Sequence, residues 1–209
     1  MKPLAIIVLA LMLSYATTAQ EETLIKGKIE SGGYGGPMLK VGQLNGKTTL
    51  FVGGQGGWII NHRLVIGGKG YASVVPADVD GLQNIVVGFV ATGAFFEYIM
   101  AFHKLFHVSV ENMIGYGVAY NDLRNNRKEP DPIDYTEDGG FLMEPGVNFT
   151  LNVSKMFRIG AGVSYRFVSG VNYDPGAPYQ NANAMNYEAV TNSDVSGLSA
   201  QIVFKIGNF

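Results

Sequence analysis

Apolar and polar residues alternate strictly along three segments of this chain. In Phe106–Asn121 every even position except Asn112 is aliphatic or aromatic, while the odd positions are mainly polar or small. The odd positions of Phe141–Val153, except Pro145, and the first six odd positions of Phe157–Val171 follow the same rule. A side-chain period of two is typical of a strand with one apolar and one polar face. These segments are therefore predicted to be β-strands.

Similar runs separated by turn residues extend the pattern to the rest of the chain, and Asn45-Gly46 between the first two is a strong hairpin signal. After the N-terminal segment, no run of apolar residues approaches the 18 that a membrane-spanning helix requires. The sequence thus predicts an all-β fold. The eight predicted strands are Gly36–Gln43, Thr48–Ile60, Leu64–Val75, Ile85–Ile99, Phe106–Asn121, Phe141–Val153, Phe157–Val171 and Gly197–Ile206.

The predicted connections alternate in length. Those around Asn61–Arg63, Ala101–Lys104 and Ser154–Met156 are tight, and they would all lie at one end of an up-and-down sheet. Except for the Asn45-Gly46 turn, the connections at the other end are long. Short turns at one end and long loops at the other are typical of outer-membrane barrels. The long connections are Pro76–Asn84, Asp122–Gly140 and Asn172–Ser196.

The composition decides which face of the strands points inward. Only 15% of the residues are charged and 28 are glycine, and the polar faces hold mostly small residues with a few charges. Such faces suit the interior of an eight-stranded barrel, which is just wide enough for its own side chains. We therefore predict a single antiparallel up-and-down eight-stranded transmembrane β-barrel. A secreted, soluble lipocalin-like barrel that binds a small apolar ligand inside remains the alternative.

Charge and cysteine content exclude other classes. The chain has no cysteine, so disulfide scaffolds and cysteine-ligated zinc are excluded. A net charge of −2 and a pI near 5.9 give no attraction to nucleic acid. No cofactor is predicted.

The N-terminus has the features of a secretory signal. Lys2 precedes the apolar run Leu4–Leu13, and small residues end at Ala19. The run is too short to span a bilayer. We predict a signal peptide over residues 1–19, a lead-in segment over 20–34 and the barrel over 35–209.

Together these features resemble the small eight-stranded outer-membrane β-barrels of the OmpA/OmpX type, and the cleavage site is similar to those of exported Bacteroidota proteins. The resemblance implies location in a Gram-negative outer membrane, contact with outer-membrane lipid, and recognition of Phe209 by the barrel assembly machinery. Stepping back by twos from Phe209 gives Gly207 and Lys205 rather than an apolar stripe. A strand end near Ile206 or a bulge is therefore expected. A bulge or strand end is also expected at Pro145, because proline cannot donate a ladder hydrogen bond.

Charged residues on the polar faces would meet inside such a barrel. Unpaired charges in a narrow lumen are costly, so we expect them to pair across strands and leave no open channel. Glu97 is an additional candidate, because both faces of its strand are apolar around Ile85–Phe89 and its facing is ambiguous. The predicted lumenal network is Lys40, Lys69, Glu111, Glu144, Arg158, Arg166 and Lys205.

His107, Ser109 and Glu111 share one strand face, and this His–Ser spacing resembles the catalytic pair of barrel-type lipid A deacylases. The match implies a lipid-facing pair near the outer leaflet, whereas these residues follow a short turn on the polar face. A barrel enzyme acting on outer-membrane lipid is therefore a second alternative, and the main prediction is a non-enzymatic barrel.

Two further features are candidates for binding. Asp131, Asp134, Glu137 and Asp138 in one long loop could hold calcium, although their spacing does not match an EF-hand. The Asn- and Tyr-rich loop Asn172–Ser196 has the composition of a recognition loop for an extracellular protein or glycan.

Two other patterns are predicted to carry no chemistry. His103 and His107 straddle a turn, so their spacing aligns no metal ligands. The glycine-rich segments 53–57 and 67–70 do not match the phosphate-loop pattern, and we expect them to allow barrel curvature.

Overall fold

The computed structural model describes residues 30–74, 77–78, 85–123, 137–173 and 189–209. Within these ranges the chain forms eight long antiparallel strands and one short helix, α1 (Asn192–Val195). No helix in these ranges is long and apolar enough to cross a bilayer. The strands are β1 (Ser31–Leu44), β2 (Lys47–Ile60), β3 (Leu64–Ser73), β4 (Ile85–Met100), β5 (Phe106–Leu123), β6 (Glu137–Asn152), β7 (Phe157–Ser169) and β8 (Gly197–Asn208).

The sheet closes on itself, which confirms the predicted barrel. Each strand pairs with its neighbours in sequence, and β8 pairs with β1. Following partners once around the barrel leads from Gly32 back to β1 at Gly42, a displacement of ten residues. This stagger makes the strands tilt, by roughly 35–45° in barrels of this kind. The path runs through Gly32, Ile59, Val65, Glu97, Glu111, Gly146, Ser164, Ser199 and Gly42.

The Asn45-Gly46 turn has the backbone conformation that its sequence predicts. Both residues have positive φ, 49° at Asn45 and 69° at Gly46. A two-residue hairpin turn with positive φ at both central positions matches the right-handed twist of its strands. Asparagine and glycine tolerate that region, so the turn fixes the register of β1 and β2.

Several predicted strand boundaries are wrong. β1 begins at Ser31, so the last four residues of the predicted lead-in segment belong to the barrel. β6 begins at Glu137 rather than Phe141, because its first residues pair with β5. The alternation of apolar and polar residues becomes weaker near the strand ends, whereas backbone hydrogen bonding between the strands continues. The alternation therefore underestimates the strand lengths.

Neither the strand at Pro145 nor the end of β8 contains a bulge, and β8 ends two residues beyond Ile206. β6 continues through Pro145 without a bulge, since Met143 pairs with Phe167 and Gly146 with Ser164 in one register. Residues 144 and 145 pair with β5 on one side but have no partners in β7 on the other. β8 likewise runs to Asn208 in a single register. A proline within a strand thus removes local ladder pairing but does not displace the strand.

The apolar residues on both faces at the start of β4 have a local explanation. The two-residue strand Ala77–Asp78 pairs with Val86 and Val87. Val86, Val87 and Phe89 are all buried. Val87 and Phe89 have the inward parity of Glu97, whereas Val86 has the outward parity and is nevertheless buried, so both faces of this strand end are covered by protein.

The barrel has an apolar exterior and a polar interior. Outward side chains such as Phe106 and Ile114, 65% and 41% exposed, form an apolar surface around the wall. Lysines, glutamates, glutamines and serines are buried on the inner face. A bilayer, but not water, matches this distribution. The fold is therefore that of a transmembrane barrel, and the lipocalin-like alternative is not supported because a water-soluble barrel would need a polar outer wall.

A charge on the outer face should reveal this inverted solvation. We expect Ile114→Arg, near the middle of β5, to lower the free energy of unfolding by about 2–4 kcal/mol. Urea unfolding in phosphatidylcholine vesicles, followed by the fluorescence of Trp58, measures the change. Ile114→Leu is the matched control with little effect. An arginine variant as stable as the parent protein would contradict the lipid-facing assignment.

Candidate functional site: the lumen of the barrel

Buried acids and bases occupy different parts of the inner wall. The acids Glu97, Glu111 and Glu144 lie on the consecutive strands β4, β5 and β6. Lys40 and Lys205 lie on the neighbouring strands β1 and β8, and Lys69 lies on β3. The ion pairs observed among these six residues all join strands that are not neighbours, so each crosses the lumen rather than following one ladder.

The pair nearest the short-turn end spans the full width of the barrel. Lys205 Nζ lies 2.6 Å from Glu97 Oε1, and their strands are four apart in either direction around the barrel. Glu97 also accepts hydrogen bonds from Tyr34 at 2.8 Å and Ser109 at 2.6 Å. Gln55 in turn donates to the Tyr34 hydroxyl at 3.0 Å. Glu97 therefore faces the lumen, which resolves the ambiguity left by the sequence.

The second pair lies in the middle of the lumen. Lys69 Nζ is 2.7 Å from Glu111 Oε1 and 3.1 Å from Gln201 Oε1. Gln201 donates to Oε1 of Glu111 at 2.8 Å, and Asn148 donates to Oε2 of Glu111 at 2.7 Å. Both partners are thus almost fully hydrogen-bonded, as buried charges must be.

The third pair lies closer to the long-loop end. Lys40 and Glu144, both fully buried, form a direct ion pair, and the Tyr71 hydroxyl donates to Glu144 at 2.5 Å. Lys69 Nζ lies 3.8 Å from the same carboxylate and so links this group to the central pair. The three pairs form a polar column along the lumen, and buried apolar side chains such as Met38, Met113 and Val203 pack in the same interior.

The column also resolves a conflict within the sheet. Glu97 and Glu111 are direct cross-strand partners on β4 and β5. Two like charges in this position destabilise a sheet. Each carboxylate binds its own lysine from another part of the wall, so the pair is tolerated.

Arg166 closes the column at the long-loop end. Its guanidinium lies between the rings of Phe51 and Phe89, at 4.9 and 4.6 Å from their centroids. It donates to the carbonyl oxygens of Val195 at 2.5 Å and Gln43 at 2.6 Å. Val195 belongs to α1, so this arginine binds the last long loop to the barrel mouth.

A glycine makes room for that arrangement. A Cβ at Gly117 would lie 2.6 Å from Cζ of Phe89, which is closer than real Cβ contacts. Any side chain at residue 117 would therefore displace one of the two rings that enclose Arg166.

Apolar side chains close the short-turn end. Phe209 stacks on Tyr34 with centroids 5.9 Å apart, and the Arg158 guanidinium lies 3.9 Å from its ring. The Phe209 ring therefore lies on the lumenal side, which is the side that the odd-numbered residues of β8 face. Recognition of Phe209 by the assembly machinery stays a prediction. The apolar cluster at this end comprises Tyr34, Ile59, Val65, Phe95, Ile99, Phe102 and Phe209.

The catalytic candidates are not brought together for lipid chemistry. His107, Ser109 and Glu111 are buried on the inner face, away from the lipid-facing surface. Ser109 donates to Glu97, and Glu111 binds Lys69. The deacylase comparison is therefore wrong in its geometry, because residues on alternate positions of an inward face cannot reach an acyl chain outside the barrel.

The predicted metal ligands are not brought together either, as far as the structure describes them. Asp131 and Asp134 lie outside the described residues. Both carboxylate oxygens of Asp138 accept backbone N–H groups, from Gly139 and Asn172 at 2.8 Å each. Within the ranges that the structure describes, no three potential ligands are grouped to hold a metal ion. Asp138 instead fastens the start of the last long loop to β6.

The remaining sequence patterns have structural roles. The glycine-rich segments 53–57 and 67–70 lie within β2 and β3 and form no phosphate loop. His103 is exposed in a turn whereas His107 is buried in the lumen, so the two do not converge.

Sequence reasoning missed the neutral members of the column. Tyr34, Tyr71, Gln55, Gln201 and Asn148 complete the hydrogen bonds of the buried charges. All five lie at inward positions of their strands, and all except Gln55 share that parity with a buried charge on the same strand. That parity was available in the sequence and could have identified them.

Comparison with solved structures places this fold among small outer-membrane barrels. Neisserial surface protein A aligns with a TM-score of 0.55 at 9% identity, covering 87% of this chain and 99% of that one. The N-terminal β-barrel domain of Pseudomonas aeruginosa OprF aligns with a TM-score of 0.45 at 7% identity, and the alignment covers 85% of this chain and 96% of that one. Ail, the attachment invasion locus protein of Yersinia pestis, aligns with a TM-score of 0.45 at 10% identity, and the alignment covers 86% of this chain and 97% of that one. No family model and no curated protein sequence matches the chain. The chain thus has the fold of a small eight-stranded outer-membrane β-barrel.

The ion pairs should be strongly coupled. We expect Lys40→Met or Glu144→Gln alone to lower the free energy of unfolding by about 3–5 kcal/mol, because each leaves a buried partner unpaired. The double variant should lose less than the sum of the two. A double-mutant cycle from urea unfolding in vesicles measures this coupling. Lys47→Met, at the exposed hairpin turn, is the control, and additive losses at residues 40 and 144 would contradict a direct pair.

Proposed function

We propose that this protein is an integral outer-membrane barrel that performs no catalysis and acts through its long loops. The strands anchor the chain in lipid. The lumen is closed, and it serves to hold the wall in shape rather than to transport a solute. The role of the protein is then structural, or the binding of an extracellular protein or glycan.

The observation that carries this proposal is the occupied lumen. Three ion pairs cross it, and their hydrogen-bonding partners fill the space between them. An eight-stranded barrel has little room beyond its own side chains, whereas an aqueous channel requires a wider barrel. On this proposal, the interior along the described strands is neither a path for a solute nor a cavity for an apolar ligand.

The loops are the remaining places for a specific activity. The structure describes only the ends of Asp122–Gly140 and Asn172–Ser196, and these ends are fixed to the barrel. Asn192 Oδ1 accepts the N–H groups of Gly170 and Val171 at 2.9 and 2.8 Å. Rigid bases of this kind support recognition loops, and the Asn and Tyr content of Asn172–Ser196 suits that role.

Membrane integration and closure are testable in one preparation. We expect the mature protein to remain in the outer-membrane pellet after an alkaline carbonate wash, because its apolar wall is solvated by lipid. Purified and inserted into planar bilayers, it should give no stable conductance. Release into the supernatant would contradict the membrane assignment, and a reproducible open channel would contradict the closed lumen.

The absence of lipid hydrolysis is tested at Ser109. We expect cells that produce the protein to retain all lipid A acyl chains, and Ser109→Ala to leave that lipid profile unchanged. Mass spectrometry of extracted lipid A is the measurement. Acyl-chain loss with the parent protein that disappears in Ser109→Ala would overturn the non-enzymatic proposal.

A further inference from the structure

The charges outside the membrane wall are distributed unequally between the two ends of the barrel. The short turns Asn61–Arg63, Ala101–Leu105 and Val153–Met156 contain three Lys or Arg residues, two His residues and no acid. The three long connections contain eleven acids against three Lys or Arg residues. The three short turns are therefore basic and the long connections acidic, while Glu30, just before β1, lies 3.3 Å from His62 in the first short turn.

Two of the basic turns form one continuous surface. Asn152, the last residue of β6, donates its backbone N–H to the Leu105 carbonyl at 2.9 Å. Its side-chain amide donates to the Lys104 carbonyl at 2.8 Å. The turn of Lys155 is closed by hydrogen bonds of its own, from Ser154 N–H to Phe157 O at 2.9 Å. The two turns are thus held together in a defined geometry, which lowers the entropic cost of binding.

Exposed apolar side chains lie beside the two lysines. Leu105 and Met156 are 61% and 64% exposed, and Phe106 and Val153 are also exposed. Phe149 continues this surface up the wall on the outer face of β6. The turn-pair patch, as we name it, therefore combines cationic heads with an adjacent apolar strip. It comprises Lys104, Leu105, Phe106, Val153, Lys155 and Met156.

We propose that the turn-pair patch binds an anionic phospholipid in the leaflet at the short-turn end. Lys104 and Lys155 contact its phosphate-bearing headgroup, and an acyl chain lies along Phe106 and Phe149. Charge complementarity favours this occupant, because each turn supplies a lysine and neither supplies an acid. Each basic residue next to an anionic membrane surface strengthens the attraction about fivefold. This inference rests on the proposed membrane location.

The experiment uses a fluorescent reporter in the patch. Trp58 is the only tryptophan of the chain, so Trp58→Phe combined with Phe106→Trp places the only tryptophan in the turn-pair patch. The mature reporter protein is reconstituted in vesicles that contain dibrominated phosphatidylglycerol or dibrominated phosphatidylcholine. Quenching as a function of the brominated lipid fraction gives the relative binding constant of the two lipids.

We expect the reporter to prefer phosphatidylglycerol. Lys104→Gln and Lys155→Gln should each reduce the preference about fivefold, which corresponds to the contribution of one cation. In 1 M salt, where the screening length is about 3 Å, the preference should largely disappear. Lys47→Gln, at the opposite end of the barrel, is the matched control and should leave the preference unchanged.

The outcomes separate this inference from the proposed function. Equal quenching by both lipids in the reporter, or a preference unchanged by the two lysine substitutions, overturns the lipid site while leaving the protein in the membrane. No quenching by either lipid instead contradicts the membrane location itself. Retained heat-modifiable migration on gels shows that each variant is folded, so a lost preference is a property of the patch.

Discussion

Closure of an eight-stranded sheet is the constraint on which the rest of this molecule depends. In lipid, each backbone N–H and C=O group must find its partner within the protein, and a closed barrel has no free edge. β8 must therefore pair with β1, although Pro37 interrupts that ladder between Gly35 and Met38. With eight strands the enclosed space is narrow, so each inward residue is selected for how it fills that space.

The lumenal column follows from that narrowness. Charged side chains placed in a narrow interior must satisfy one another, and here they do so between strands that are not neighbours. Lys205 and Glu97 join opposite sides of the wall, and Lys40 and Glu144 join β1 to β6. The pairs therefore act as cross-braces that fix the cross-section of the barrel, while Arg166 and Phe209 close its two ends.

The sequence predicted the wall well and the contacts inside it only in part. Strand number, facing and loop asymmetry follow from period-two alternation, which is a local property. The partner of each charge depends on the stagger of the closed sheet, which no local pattern encodes. The facing of Glu97 was ambiguous because Val86, at an outward position of β4, is as apolar and as buried as the inward Val87 and Phe89. Pro145 was misjudged because a neighbouring ladder holds the strand in register.

The sequence distances within the ion pairs have a kinetic consequence. Partners are 104, 42 and 108 residues apart for Lys40–Glu144, Lys69–Glu111 and Lys205–Glu97. Such contacts form only once distant strands have met, so they cannot accelerate the meeting itself. Interactions that are absent from the transition state slow unfolding without changing the folding rate. The cross-braces thus lengthen the lifetime of the closed barrel, which suits a protein that must persist in a membrane after its single insertion.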